Sequence, residues 1–126
     1  MTADRASVGA WVAAYEAVWR ASDADAVARL FTPDARYARS PYDPDVLVGH
    51  DAIREFWTVD DDAAFTTTAE TVAVEGDVAV VRLEVRYTAP REQEYRDLWV
   101  LRFAPDGRVA DFEEWAYWPG KEWSAS

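Results

Sequence analysis

The sequence predicts an α+β domain: a strongly curved, cone-shaped, mostly antiparallel sheet with three N-terminal helices packed on its concave face. Three observations carry that prediction. Apolar residues in the first third recur at helical spacing, and from Phe65 onward apolar and polar residues alternate as they do in strands. Two turn signals, Glu75-Gly76-Asp77 and Ala104-Pro105-Asp106-Gly107, fold that second part into long hairpins. With 126 residues and no internal repeat, low-complexity tract or linker, the chain reads as one domain over 1–126.

In chain order, Ser7 is expected to cap a helix running to about Ala21, whose apolar face is Val8, Trp11, Val12, Tyr15, Val18 and Trp19. Asp23 starts a shorter helix over 24–30, and Thr32-Pro33-Asp34 ends it. Residues 35–40 read as a short strand with Tyr37 and Arg39 on one side, and Pro41-Tyr42-Asp43-Pro44-Asp45 as a loop that Gly49 closes. A third helix over 51–59 would bury Ile53, Phe56 and Trp57, and Asp60-Asp61-Asp62 reads as a solvated turn without the spacing of a calcium loop. Strands follow at 66–74 and 78–88, and Ala89-Pro90 leads into the hairpin of 91–120. Helices on one face of a curved sheet leave an open mouth and an apolar interior, which is where a ligand would sit.

Composition narrows the function. Seven Trp, six Tyr and five Phe exceed what a core this size needs, so an aromatic-lined pocket, an interface, or both are expected. Thirteen Lys plus Arg against 24 Asp plus Glu leave a net charge of -11, which disfavours nucleic acid and anionic membranes as partners. With no Cys and a single His, His50, neither a thiol nucleophile nor a metal site needing two imidazoles can be built, and no metal or cofactor is expected. The first residues carry no apolar run of signal-peptide or membrane-spanning length, so the expected location is cytoplasmic.

Asp97 is the odd member of a strand face otherwise made of Tyr95, Trp99, Leu101 and Phe103. A carboxylate there needs a partner, a ligand or a shifted pKa. It is the first candidate for a general base or a ligand anchor, and the alternative is a structural ion pair with Arg39. Tyr15 and Trp19 could offer a phenol and an indole N–H to a ligand oxygen. Tyr37, Tyr42, Trp57 and Trp99 are further aromatic candidates, and aromatic residues at these spacings are more often core. His50, at a helix start, is expected at the surface.

Four stretches carry a resemblance to a known family: Leu30-Phe31-Thr32-Pro33-Asp34-Ala35; Gly49-His50-Asp51-Ala52-Ile53-Arg54-Glu55-Phe56-Trp57; Leu98-Trp99-Val100-Leu101-Arg102-Phe103 with Asp106-Gly107-Arg108-Val109; and Glu114-Trp115-Ala116-Tyr117-Trp118. They resemble the SnoaL-like (polyketide cyclase and ketosteroid isomerase-like) branch of the nuclear transport factor 2-like superfamily. The resemblance implies the cone fold and a pocket for a small apolar molecule, and it spans isomerases, dehydratases, hydrolases, cyclases and non-catalytic binding domains.

Transfer residue by residue matches Tyr15 to the oxyanion-holding tyrosine of ketosteroid isomerases. Their base position falls on Arg39 or Ser40 and their second acid on Trp99, which argues against the same reaction. The Asp-Arg-Asp network of limonene-epoxide-hydrolase-like enzymes is missing its Arg, since Tyr95 stands two before Asp97.

The resemblance also places Trp118 in the pocket, and counting back in twos brings Ala116, Glu114 and Phe112 to the same side. Glu114 is then a second acid that could share a proton with Asp97. The plainer alternative leaves it solvated at the mouth. Val109, Trp115 and Tyr117 fall on the opposite, convex face, which a homodimer would cover, as the resemblance also implies. The expected function is a cofactor-free enzyme of isomerase, dehydratase, cyclase or hydrolase type acting on an apolar, oxygen-bearing substrate. Asp97, Tyr15 and Arg39 would be catalytic, and Trp19, Tyr37, Trp57, Trp99, Glu114 and Trp118 would bind substrate. The alternative is a ligand-binding or dimerisation module of the same fold.

Overall fold

The computed structural model describes residues 3–21, 24–57, 64–89 and 91–120, with the backbone alone at Ala24 and Trp57. Helix α1 (Arg5–Ala21) buries Val8, Trp11, Val12, Tyr15 and Val18, the face that helical spacing predicts. Its cap is Asp4 rather than Ser7. The Asp4 carboxylate accepts the Ser7 backbone N–H at 2.7 Å and Ser7 Oγ accepts the Asp4 N–H at 3.0 Å, a reciprocal box that places Ser7 at the third helical position.

A 3₁₀ turn (Ala24–Ala26) leads into the single-turn α2 (Val27–Leu30). Strand β1 (Phe31–Ala38) begins at once, so Thr32-Pro33-Asp34 lies within the strand instead of between helix and strand. Pairing along β1 is irregular between Phe31 and Arg36, where Pro33 has no N–H to give to a ladder. The loop expected before Gly49 contains a two-residue strand, β2 (Leu47–Val48), too short to leave a periodic signal. Helix α3 (His50–Trp57) follows and buries Ile53 fully, whereas Phe56 is 38% exposed. The turn expected at Asp60-Asp61-Asp62, the start at Asp23 and Pro90 lie outside the described residues.

Four long strands complete the sheet: β3 (Ala64–Glu75), β4 (Val78–Ala89), β5 (Gln93–Phe103) and β6 (Val109–Tyr117). The order is β2-β1-β6-β5-β4-β3, antiparallel except for β1 beside β6. Gly76 and Gly107, with φ of 61° and 89°, close the two hairpins in a conformation that favours glycine.

One prediction of side fails for a local reason. Val109 pairs with Phe103 and Asp111 with Arg102, so β6 holds one extra residue there. This bulge turns Val109 inward, and Val109 and Phe112 are both fully buried. Among the described residues no helix is long and apolar enough to cross a membrane.

The sheet's concave face carries the core. Trp11 meets Phe31, Trp99, Phe103 and Phe112 edge-on or tilted at 5.7–6.4 Å, and its indole N–H donates to the Leu30 carbonyl at 3.0 Å. Phe112 is the hub, stacked on Tyr37 at 4.4 Å and on Tyr15 at 5.8 Å.

Candidate active site

Strand register puts the candidates in rows across the concave face. Trp99 of β5 lies between Val81 of β4 and Glu114 of β6; in the next row on this face, Asp97 lies between Leu83 and Ala116. Asp97 and Glu114 are therefore diagonal neighbours, within reach of their side chains. Helix α1 crosses the same face with aromatic residues at every fourth position, Trp11 deepest, then Tyr15 over Trp99 at 4.6 Å, then Trp19 against Phe65 at 4.4 Å.

Asp97 is 7% exposed, with the Glu114 carboxyl as its diagonal neighbour. Burial, then the Glu114 charge and hydrogen bond, push its carboxyl up to about 8. Burial also raises Glu114, opposed by hydrogen bonds from Trp99 and Asp97; the Trp99 indole N–H donates to Glu114 Oε2 at 3.0 Å. Burial thus holds both carboxyls above the ordinary range, an environment that favours one proton shared between two neighbouring acids. Asp97 Oδ1 is left buried with no hydrogen-bond partner among the described residues.

Two phenol pairs surround these acids. Tyr15 and Tyr37 hydroxyls lie 2.8 Å apart, and Tyr15 is held well above its ordinary pKa by burial, then by Tyr37 and the Glu114 charge. Tyr87 is pushed up to about 12 by burial, then by Tyr95 and Glu114, and its ring lies 6.5 Å from that of Trp19. The site can thus give a proton, take a proton, and present neutral hydroxyl donors, all against apolar walls.

Sequence reasoning places Asp97, Glu114, Tyr15, Tyr37 and Trp99 together, and the structure brings them to one cluster. Trp19 and Trp118 stand at its rim, with Trp118 42% exposed and 6.0 Å from the Tyr95 ring. The solvated alternative for Glu114 does not hold, because its carboxylate is tied to Trp99 and Asp97. Arg39 is elsewhere. Its guanidinium donates to Asp43 at 2.9 and 3.1 Å and to the Asp45 carbonyl at 3.0 Å, so the ion pair expected with Asp97 does not form. Asp43, four residues on in a tight loop, reaches Arg39 more cheaply than a carboxyl buried under α1 could. The Trp57 side chain lies outside the described residues, and Tyr42 is 94% exposed on the loop. His50 is half-buried and ties α3 to β1 through the Phe31 carbonyl at 2.8 Å, a structural role.

Tyr87, Tyr95 and Phe65 were missed as site residues. Parity was the available signal: Tyr95 is two before Asp97, and Tyr87 continues the apolar alternation Val81, Leu83, Val85. No group of three or more His, Asp or Glu among the described residues is arranged to hold a metal ion.

The SnoaL-like domain family matches residues 12–112, which include Tyr15, Tyr37, Asp97 and Trp99 and end two residues before Glu114. The chain belongs to the SnoaL-like family. Solved structures give the same fold. The epoxide hydrolase/cyclase-like enzyme SalBIII, which acts in pyran ring formation in the polyether salinomycin, is 22% identical with a TM-score of 0.67, covering 89% of this chain and 90% of its own. A ketosteroid isomerase-like protein from Erwinia carotovora atroseptica is 22% identical, TM-score 0.66, covering 90% and 96%. A nuclear transport factor 2-like protein of unknown function from Mesorhizobium loti is 18% identical, TM-score 0.68, covering 93% and 97%. Among curated proteins none matches. This SnoaL-like domain therefore has the fold of nuclear transport factor 2-like proteins, with Asp97 and Glu114 on neighbouring strands of its sheet.

Proposed function

We propose that this SnoaL-like protein is a cofactor-free acid–base enzyme acting on an apolar, oxygen-bearing small molecule held in the cone. The observation that carries this reading is the Asp97–Glu114 pair, two carboxyls diagonal to each other on an apolar sheet face and both held above their ordinary range by burial. Protonated Asp97 is the donor to a substrate oxygen, and Glu114 is the carboxylate that takes a proton from substrate carbon or water. The Tyr15–Tyr37 hydroxyls supply a neutral hydrogen bond to oxygen as charge develops there. Arg39 has no part in this reading, since Asp43 engages it.

The rival reading, a binding or dimerisation module of the same fold, is favoured by one observation: Tyr15 and Tyr37 already bond each other, so neither needs a ligand. A panel of cyclic ketones, lactones and epoxides incubated with the protein in D2O separates the two. Deuterium incorporation or ring opening, abolished in Asp97→Asn and in Glu114→Gln, is the expected result. Ligand binding with no turnover, equal in wild type and variants, would favour the module. We also propose a homodimer through the convex face, where Leu98 and Trp115 are directly paired and over a third exposed.

A further inference from the structure

We propose that Trp99 is a positioning residue: by holding one oxygen of the Glu114 carboxylate, it makes Glu114 rather than Asp97 the base of the pair. The role deepens the acid–base reading above and rests on it.

Register supplies the first observation. Trp99 and Glu114 are directly paired across β5 and β6, and the indole N–H donates to Glu114 Oε2 at 3.0 Å. A donor aimed at a carboxylate stabilises its ionised form. Asp97 is flanked in its own row by Leu83 and Ala116, whose side chains have no hydrogen to donate. The two acids are therefore unequal, because the indole donor stands directly opposite one of them.

Packing supplies the second. Trp99 is 1% exposed, set against Tyr15 at 4.6 Å, Phe112 at 5.0 Å and Trp11 at 6.3 Å. It has almost no surface to offer a substrate, so the substrate-binding role expected from the sequence gives way to one exerted through Glu114. Glu114 is half-buried and Asp97 buried, so the acid opposite the indole is also the more accessible of the two.

The surrounding groups supply the third. The titratable side chains around Glu114 are Asp97 on β5, Tyr15 on α1 with its hydrogen-bonded Tyr37 on β1, and Tyr87 on β4. Burial holds Tyr15 and Tyr87 above their ordinary range, so both phenols stay neutral while the acids titrate. Neither phenol then adds a charge that would mask the effect of the indole.

The test follows the Asp97 and Glu114 carboxyl carbons by carbon-13 NMR across pH, assigned against Asp97→Asn and Glu114→Gln, together with the nitrogen-15 signal of the Trp99 indole. In wild type Glu114 is expected to ionise at lower pH than Asp97, and the Trp99 indole signal to move with the Glu114 step. Trp99→Phe, which keeps a ring and removes the N–H, should raise the Glu114 midpoint by about one pH unit or more. Trp11→Phe is the packing control. Its indole donates to the Leu30 carbonyl and not to an acid, so the Glu114 midpoint should stay where it is. A midpoint that moves equally in both variants reports packing alone and overturns the proposal. So does an unmoved midpoint in Trp99→Phe or, should that variant not fold, a wild-type indole signal that ignores the Glu114 step. Titrations as expected, with no turnover across the ketone, lactone and epoxide panel, would instead overturn the acid–base reading and leave Trp99 as the donor that orients Glu114.

Discussion

At the scale of single residues the protein is decided by where one proton sits. Burial and Glu114 push the Asp97 carboxyl up to about 8 in the folded chain, above its ordinary range when unfolded, so between those values the native state holds a proton the unfolded state lacks. Stability contributed by this group is therefore full at acid pH and falls as pH rises toward 8, the opposite of a salt-bridged aspartate. Asp97→Asn keeps the shape and an N–H donor toward Glu114 but cannot ionise. Its melting temperature relative to wild type is expected to climb from pH 5 and level off above about pH 8, because over that range only the wild-type chain gains by ionising this carboxyl when it unfolds. A difference independent of pH, measured by circular dichroism, would show that Asp97 is not the proton holder. Asp97 itself was legible in the sequence, because a lone acid on an alternating apolar strand has few explanations. Its partner was not. Strand parity put Glu114 on the right face, but only the register of β5 against β6 shows that it sits one diagonal away. Arg39 misled because strand periodicity carries no information about Asp43, four residues on in a loop.

At the scale of elements, α1 and β6 hold the site between them. The stripe Trp11, Tyr15 and Trp19 lays one ring per turn over successive rows of the sheet, and Phe112 locks β6 to β1 and α1 by stacking on Tyr37 and Tyr15. Phe112→Ala is expected to cost about 3–5 kcal/mol in urea denaturation, the range for emptying a fully buried aromatic site. Because Tyr37 and Tyr15 would lose their common wall, near-ultraviolet ellipticity should fall with stability. A loss below about 1 kcal/mol would mean that the neighbours collapse into the space. The α1 stripe and the long strands were readable because they obey one period over many residues. The β6 bulge, the two-residue β2 and the Asp4 cap were not, since each is settled by a single residue or hydrogen bond that leaves the period on either side unchanged. The cap is itself testable: Asp4→Ala should lower the thermal midpoint, while Asp4→Asn, which can accept the same Ser7 N–H, should retain most of it.

At the scale of the molecule, the two faces of one sheet have different needs. The concave face is covered by α1 and carries the acids. The convex face is not covered by any described helix, and it mixes charge ladders such as Arg82–Glu70 and Arg96–Glu84 with Leu98, Trp115 and Tyr117, exposed at 37%, 39% and 42%. Trp115 lies opposite Leu98, and its indole N–H donates to Glu113 at 2.7 Å, which orients the ring on this face. In the homodimer we propose, a patch ringed by charges of both signs could meet its own copy across a two-fold axis, Arg against Glu. With a net charge of -11 opposing association over longer distances, the contact must be apolar at its centre and should strengthen with salt. Light scattering is expected to give twice 14.3 kDa at micromolar concentration, more fully dimeric at 0.5 M than at 0.05 M salt (about 4 and 14 Å of screening). Leu98→Glu should return it to the monomer mass without disturbing the Trp99 indole signal on the other face. A monomer in wild type, or a dimer that survives Leu98→Glu, would remove the convex face from the interface and leave the acid pair in the cone unaffected.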